Sequence, residues 1–164
     1  MSATGAENVT IRDAAPGDAV AACRVLRESI SSLCVADHRN DPTILNAWLA
    51  NKTPQNFLAW IANTDNFCVV AESNNRLAGV GVLQRTGEIL LFYLDPGAQR
   101  QGIGRIIHAA LEAKANEWKL ASLHLDSTSL ARPFYEALGY RAIGAAVPRF
   151  GVLQCFPYSK RLSP

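Results

Sequence analysis

The chain has 164 residues, 49% of them hydrophobic and 18% charged, with a formal net charge of +2. That length suits a single domain spanning 1–164 with a sizeable core, and that composition suits a soluble globular protein. Lacking a long basic stripe, an acidic run or an apolar stretch of membrane-spanning length, it is expected to bind neither nucleic acid nor a bilayer.

The first residues, Met1–Glu7, carry neither the basic nor the apolar segment of a signal peptide. Val9–Arg12 reads as a first strand. Pro16-Gly17-Asp18 then starts a helix with Ala19, Ala22, Cys23, Leu26 and Ile30 on its apolar face. Asp41-Pro42 and Thr53-Pro54 are two further helix starts, giving a helical region over about 41–63. Phe67–Ala71 and Leu77–Leu83 form a hairpin about Ser73-Asn74-Asn75. Arg85-Thr86-Gly87 turns into Ile89-Leu90-Leu91-Phe92-Tyr93-Leu94, an unbroken apolar run that predicts a strand buried on both faces. From Ile103, the residues Ile107, Ala110, Leu111, Lys114 and Trp118 recur at helical spacing. Ser122–Asp126 is a strand. Ser129–Leu138 is a short helix stopped by Gly139. Two last strands fit Tyr140–Ala145 and Phe150–Tyr158. This order predicts an α/β chain, a mixed and mostly antiparallel sheet of about seven strands with helices on both faces. The four cysteines, Cys23, Cys34, Cys68 and Cys155, lack CxxC spacing. They read as reduced thiols in a cytoplasmic protein.

The most informative stretch is Gln99-Arg100-Gln101-Gly102-Ile103-Gly104-Arg105, between the apolar strand and the helix. Free backbone N–H groups and the positive end of a helix dipole converge there. Glycine lets a bulky anion come close, so the turn suits a phosphate or pyrophosphate. It is not a P-loop, since no Gly-Lys pair follows. It is not a Rossmann fingerprint either, because Ile107 stands where a third glycine belongs.

The Gln/Arg-x-x-Gly-x-Gly/Ala pattern resembles that of the GNAT superfamily of acyl-CoA-dependent N-acyltransferases. A second stretch, Ala131-Arg132-Pro133-Phe134-Tyr135-Glu136-Ala137-Leu138-Gly139-Tyr140, is similar to that family's Ala-x-x-Phe-Tyr-x-x-x-Gly-Phe/Tyr signature. The element order agrees over nearly the whole chain, best over 88–140 and least over 31–66. The resemblance implies that acetyl-CoA is the co-substrate, with no metal, and that Gln99–Arg105 (Gln99, Arg100, Gln101, Gly102, Ile103, Gly104, Arg105) cradle its pyrophosphate. It implies that backbone groups of Phe92, Tyr93 and Leu94 pair with the pantetheine arm; the same residues read equally as core.

Tyr135, by the resemblance, lies near the sulfur and donates a proton to the leaving thiolate, a fit partner by pKa. Its other reading is a helix tyrosine packed on the sheet. Glu88 lies 99 − 88 = 11 residues before Gln99, as in the lysine-acetylating branch of the resembling family. There it would accept the amine proton; a glutamate opening a strand after a turn is also a common exposed residue. Thr128 stands where many members of the family have an asparagine that bonds pantetheine, and a hydroxyl there also caps a helix. Tyr140 reads as core and His108 as exposed. His124 reads as a strand residue. Cys34 and His38 share helical spacing with Asp37 and Asp41 nearby; a wall of the acceptor site or ordinary loop polarity is preferred to a metal site. Trp48, Phe57, Trp60 and His38 are expected in that acceptor wall, with the final hairpin.

The expected activity is transfer of an acetyl group from acetyl-CoA to a primary amine, on a small molecule or peptide, by direct attack in a ternary complex. The alternatives are transfer of another acyl group, transfer to a protein amine, and a CoA-binding protein without catalysis. Dimers are frequent in the resembling family, so a homodimer is one expected assembly.

Overall fold

The computed structural model describes residues 8–150 and 153–163. Met1–Glu7, where the sequence reads no signal peptide, lies outside them.

Strands β1 (Val9–Asp13), β2 (Asn66–Ser73), β3 (Arg76–Gln84) and β4 (Ile89–Leu94) form one antiparallel sheet in that order. Helices α1 (Ala19–Leu33), α2 (Val35–His38), α3 (Pro42–Leu49) and α4 (Pro54–Ala62) connect β1 to β2, and α5 (Ile103–Glu117) follows β4. The chain continues through β5 (Ser122–Ser127), α6 (Arg132–Ala137), β6 (Arg141–Ala142), β7 (Val147–Arg149) and β8 (Leu153–Arg161). In the second sheet β8 pairs with β5, β6 and β7, all antiparallel. A single parallel bridge, Glu88 to His124, joins the two sheets. The expected mixed, mostly antiparallel sheet with helices on both faces is present, as eight strands in two halves rather than about seven in one.

Local chemistry sets the helix starts. Pro16, Pro42 and Pro54 occupy first turns, where a missing N–H costs nothing. Asp41 accepts from the N–H of Thr43 at 2.9 Å, and Thr53 Oγ1 accepts from that of Asn56 at 3.1 Å. Arg12 pins β1 to the start of α1 through two 2.8 Å bonds to Asp18, and donates from Nε to Glu72 on β2 at 2.8 Å. The bonds to Arg12 hold the Asp18 carboxyl below its ordinary pKa, against the opposing effect of burial.

Each face of the first sheet has its own core. Ala22, Val25 and Leu26 of α1 join Phe57, Val70, Val80, Val82 and Leu91 on one side. Ile103, Ile107, Leu111 and Ala115 of α5 join Val69, Leu83, Leu123 and Tyr158 on the other. Full burial of each large aliphatic side chain contributes about 1.5–3 kcal/mol. Close approach of α5 to β3 requires glycine. A Cβ on Gly79 or Gly81 would stand 2.5 or 2.7 Å from Ile107 side-chain atoms.

Three expectations are corrected. β4 is not buried on both faces: Ile89 and Leu91 are buried, whereas Leu90, Phe92, Tyr93 and Leu94 are half-buried because they border a groove. The helix read as 129–138 is only Arg132–Ala137, with Gly139 beyond it at φ 98° as expected of a helix stop. The strand read from Tyr140 to Ala145 shrinks to Arg141–Ala142. The strand read from Phe150 to Tyr158 is β8, Leu153–Arg161, preceded by the short β7, and residues 151–152 of that reading lie outside the described residues.

Candidate active site

Beyond the Glu88–His124 bridge, β4 and β5 part. β4 pairs with β3 on one edge as far as Leu94. Its other edge has no strand partner past Glu88 among the described residues. A groove of about 300 Å³ fills the space between the strands. The end of α1, with Ser29, Leu33 and Cys34, forms one wall. The segment Leu125–Thr128, with Ala131, Phe134 and Tyr135, forms another. The carboxylate of Asp37 bridges them, accepting the N–H of Ser129 at 2.7 Å.

The glycine turn closes the far end of β4. Asp95 caps it by accepting from the N–H of Gly97 at 3.1 Å, and Arg24 holds Asp95 at 3.0 Å. Arg100 and Gly102 both take left-handed conformations, φ 62° and 79°. An L side chain at Gly102 would be strained, although a Cβ there would meet nothing within 4 Å. The first intrahelical bond of α5 joins the N–H of Ile106 to the carbonyl of Gly102 at 3.2 Å. The N–H groups of Ile103, Gly104 and Arg105 therefore precede the helical ladder. With open space above Gly102, these donors fit the pyrophosphate of a CoA ester. Gly104 also brings α5 against α6, where a Cβ would stand 3.2 Å from Phe134.

Most of the expected site residues meet at this groove. Phe92, Tyr93, Leu94, Gln99, Arg100, Thr128 and Tyr135 line it. Gln101, Gly102, Gly104 and Arg105 lie around the turn next to it, and Ile103 is core, 1% exposed. Thr128 lines the groove, and its Oγ1 accepts from the N–H of Ala131 at 3.2 Å; this closes the turn before α6 instead of capping the helix as expected, because α6 starts only at Arg132 with Ala131 as its N-cap. Tyr135 is 5% exposed, with its ring edge-on to Phe92, Phe134 and Tyr140 at 5.3–5.9 Å between centroids. Burial, reinforced by Tyr140 and Tyr93, pushes its phenol well above the ordinary range. It therefore keeps its proton at neutral pH. Glu88 is exposed at the mouth of β4 and does not line the groove, so the structure does not bring the sequence-assigned base to the other groups.

Other expectations fail for packing reasons. Trp48, Phe57 and His38 are buried at 2% exposure or less and fill the spaces between helices; with Trp60 they lie outside the groove. His38 Nε2 bonds the carbonyl of Ile30 at 2.9 Å, which ends its use as an acceptor ligand. His108, expected exposed, is 2% exposed and bonds the hydroxyl of Tyr140 at 2.8 Å. Cys23, Cys34, Cys68 and Cys155 are unpaired and buried. Among the described residues, no three His, Cys, Asp or Glu side chains gather as metal ligands. No described helix is long and apolar enough to cross a membrane.

Sequence reasoning missed Ser29, Leu33 and Asp126 as lining residues. Ser29 and Leu33 continue the α1 stripe at helical spacing from Leu26. Asp126 follows Ser122 and His124 on the polar side of the β5 alternation, so nothing in the sequence set it apart.

The sequence model of the acetyltransferase (GNAT) domain matches residues 29–162. The chain belongs to the GNAT acetyltransferase family. Solved structures of the same fold include a GCN5-related N-acetyltransferase from Rhodopseudomonas palustris, 22% identical, covering 93% of this chain and 95% of that one at a TM-score of 0.84. The PaiA N-acetyltransferase of Thermoplasma acidophilum, solved with coenzyme A, is 20% identical over 94% of this chain and 99% of its own, at a TM-score of 0.79. The ribosomal-protein-S18-alanine N-acetyltransferase of Escherichia coli is 18% identical over 95% of both chains, at a TM-score of 0.72. No curated protein matches this chain. For a GNAT acetyltransferase, acyl transfer from a CoA ester is the general chemistry.

Proposed function

We propose that this GNAT protein transfers an acetyl group from acetyl-CoA to a primary amine, by direct attack within a ternary complex. The observation that carries the reading is the parting of β4 from β5, with Tyr135 facing the gap and the glycine turn at its open end. Acetyl-CoA supplies an activated thioester when bound. Gln99–Arg105 hold its pyrophosphate through N–H groups at the start of α5. The unpaired edge of β4 at Phe92, Tyr93 and Leu94 offers backbone donors and acceptors to an amide-bearing arm. An N–H there also polarises the reacting carbonyl. Tyr135 holds its proton at the hydroxyl for the leaving sulfur. The acceptor enters from the side walled by the end of α1 and by β5. The amine proton passes to water or to a carboxylate, either Asp126 in the groove lining, two residues past the bridge on β5, or, through water, Glu88 just outside that lining. Four unpaired thiols fit a reducing compartment, the cytoplasm among them.

Calorimetric titration with acetyl-CoA, with ATP and NAD as controls, tests the site. Selective micromolar binding, about −8 kcal/mol, is expected. Thiol release in the presence of primary amines tests the transfer. Tyr135→Phe is expected to retain CoA binding and lose about 10²-fold or more in turnover. Binding with no turnover on any amine would make the protein a CoA-binding module. No binding by folded, CoA-free protein would remove the reading.

A further inference from the structure

We propose that Asp126 is the anchor for the acceptor: its unengaged carboxylate oxygen takes the ammonium of an amine with an apolar body. The inference rests on the reading of the groove as the site of transfer to an amine, and it names the class of amine.

Among the described residues that line the groove, Asp126 is the only carboxylate and Arg100 the only cation. They stand at opposite ends. Arg100 belongs to the glycine turn beyond β4, whereas Asp126 lies two residues along β5 from the bridge that closes the groove. A ligand whose anionic end sits at the turn therefore points its other end toward Asp126. Extending the parallel register of the bridge puts Asp126 opposite Leu90, where the strands begin to part.

The state of the carboxylate matters as much as its place. Arg149 on β7 donates to Oδ2 alone, from Nε at 3.0 Å and Nη2 at 2.9 Å. Oδ1 has no partner among the described residues. The Asp126 side chain is 35% exposed, so a solute reaches it. The rest of the wall nearby is apolar: Leu33, Leu90, Leu125 and Leu130. One open carboxylate oxygen beside these leucines favours a cationic donor over a neutral one, because a charge-assisted hydrogen bond is the stronger. The same leucines select an alkyl or aryl body over a strongly polar one. Glu88 differs in lying outside the lining.

The probe pair is n-hexylamine, cationic at pH 7.5, and 1-hexanol, its neutral counterpart. Each is titrated into the full-length protein with and without CoA, followed by backbone amide shifts of 122–131. Wild type is expected to bind hexylammonium at least tenfold more tightly than hexanol. Glu88→Gln is expected to keep that preference and Asp126→Asn to lose it. Arg149→Gln leaves the carboxylate in place and is expected to keep the preference, while loss there as complete as in Asp126→Asn would show a structural tie instead. No preference in wild type, or a preference that survives in Asp126→Asn, would overturn the proposal. CoA binding and thiol release, measured on the same samples, report separately on the proposed function: their failure with the amine preference intact would sink the transferase reading alone.

Discussion

His108 makes the stability of the fold sensitive to mild acid. Its ring lies under α5 against Tyr140 and Phe92, with Nε2 2.8 Å from the Tyr140 hydroxyl. Burial lowers its pKa from 6.5 to about 4; Glu112 opposes the shift, whereas Lys160 and Arg105 reinforce it. Glu112 Oε2 stands 3.7 Å from Nδ1, too far for a hydrogen bond, and the carboxylate is held by Lys160, 3.0 Å from Oε1 and 3.3 Å from Oε2. Below pH 6.5 the unfolded chain binds a proton at this ring that the folded chain refuses until about pH 4. Stability is therefore complete above 6.5 and drains away as pH falls through that window. The full span corresponds to about 3 kcal/mol, and the part between pH 6.5 and pH 5 to about 2 kcal/mol. His108→Gln removes the titration while keeping an amide for Tyr140. Urea unfolding of both proteins from pH 8 to pH 5 separates the effect from all other titrating groups, which the two share. The variant is expected to be less stable at pH 8 and to lose about 2 kcal/mol less than wild type on going to pH 5. Parallel stability curves would show that the ring is not held neutral, and the reasoning from its burial would fall.

Gly81→Ala is expected to cost about 1–3 kcal/mol in urea unfolding, because its Cβ would stand 2.7 Å from Ile107 Cγ2 and 3.3 Å from Leu111; an unchanged midpoint would mean that α5 shifts freely on β3. Gly102→Glu adds a negative charge and a left-handed strain where an anion is to bind, so CoA affinity by calorimetry is expected to fall at least tenfold. Unchanged affinity would move the pyrophosphate elsewhere. Burial pushes the thiols of Cys34 to about 12 and of Cys68 and Cys155 to about 11. Native protein is therefore expected to react with a disulfide reagent at pH 8 far more slowly than protein in urea. Rapid modification of Cys34 without denaturant would contradict its burial.

What was legible in the sequence was local. The glycine turn needs only a strand, two glycines and a helix start within a few residues, and it lies where the spacing put it. Tyr135 was found because α6 and Gly139 are contiguous with it. Where long-range packing decides, the reading failed. His108 adjoins Ile107 in the chain and looked like the polar edge of α5; Tyr140, far along the sequence, folds over it. The run Ile89–Leu94 is apolar throughout, so no periodicity could tell a buried face from a groove face. Trp48 and Phe57 looked like a recognition surface because aromatic rings serve both uses, and only the packing of α3 and α4 on α1 assigns them to the interior. Glu88 had the right spacing from Gln99, but distance along a strand does not tell which way a carboxylate opens.

Among the described residues a single strand bridge, Glu88 to His124, links the two sheets, although both pack on one core around α5. Beyond it, β4 ends one sheet and β5 begins the other, so each presents an inner edge with backbone groups that no strand completes. An edge of this kind on an outer surface invites another chain to add itself. Here it is recessed, with α1 and α6 as its walls, and a whole strand does not enter. A ligand bound as proposed, narrow and carrying amides, would meet the protein as a sheet meets its missing member, supplying the continuity between two sheets that the polypeptide interrupts.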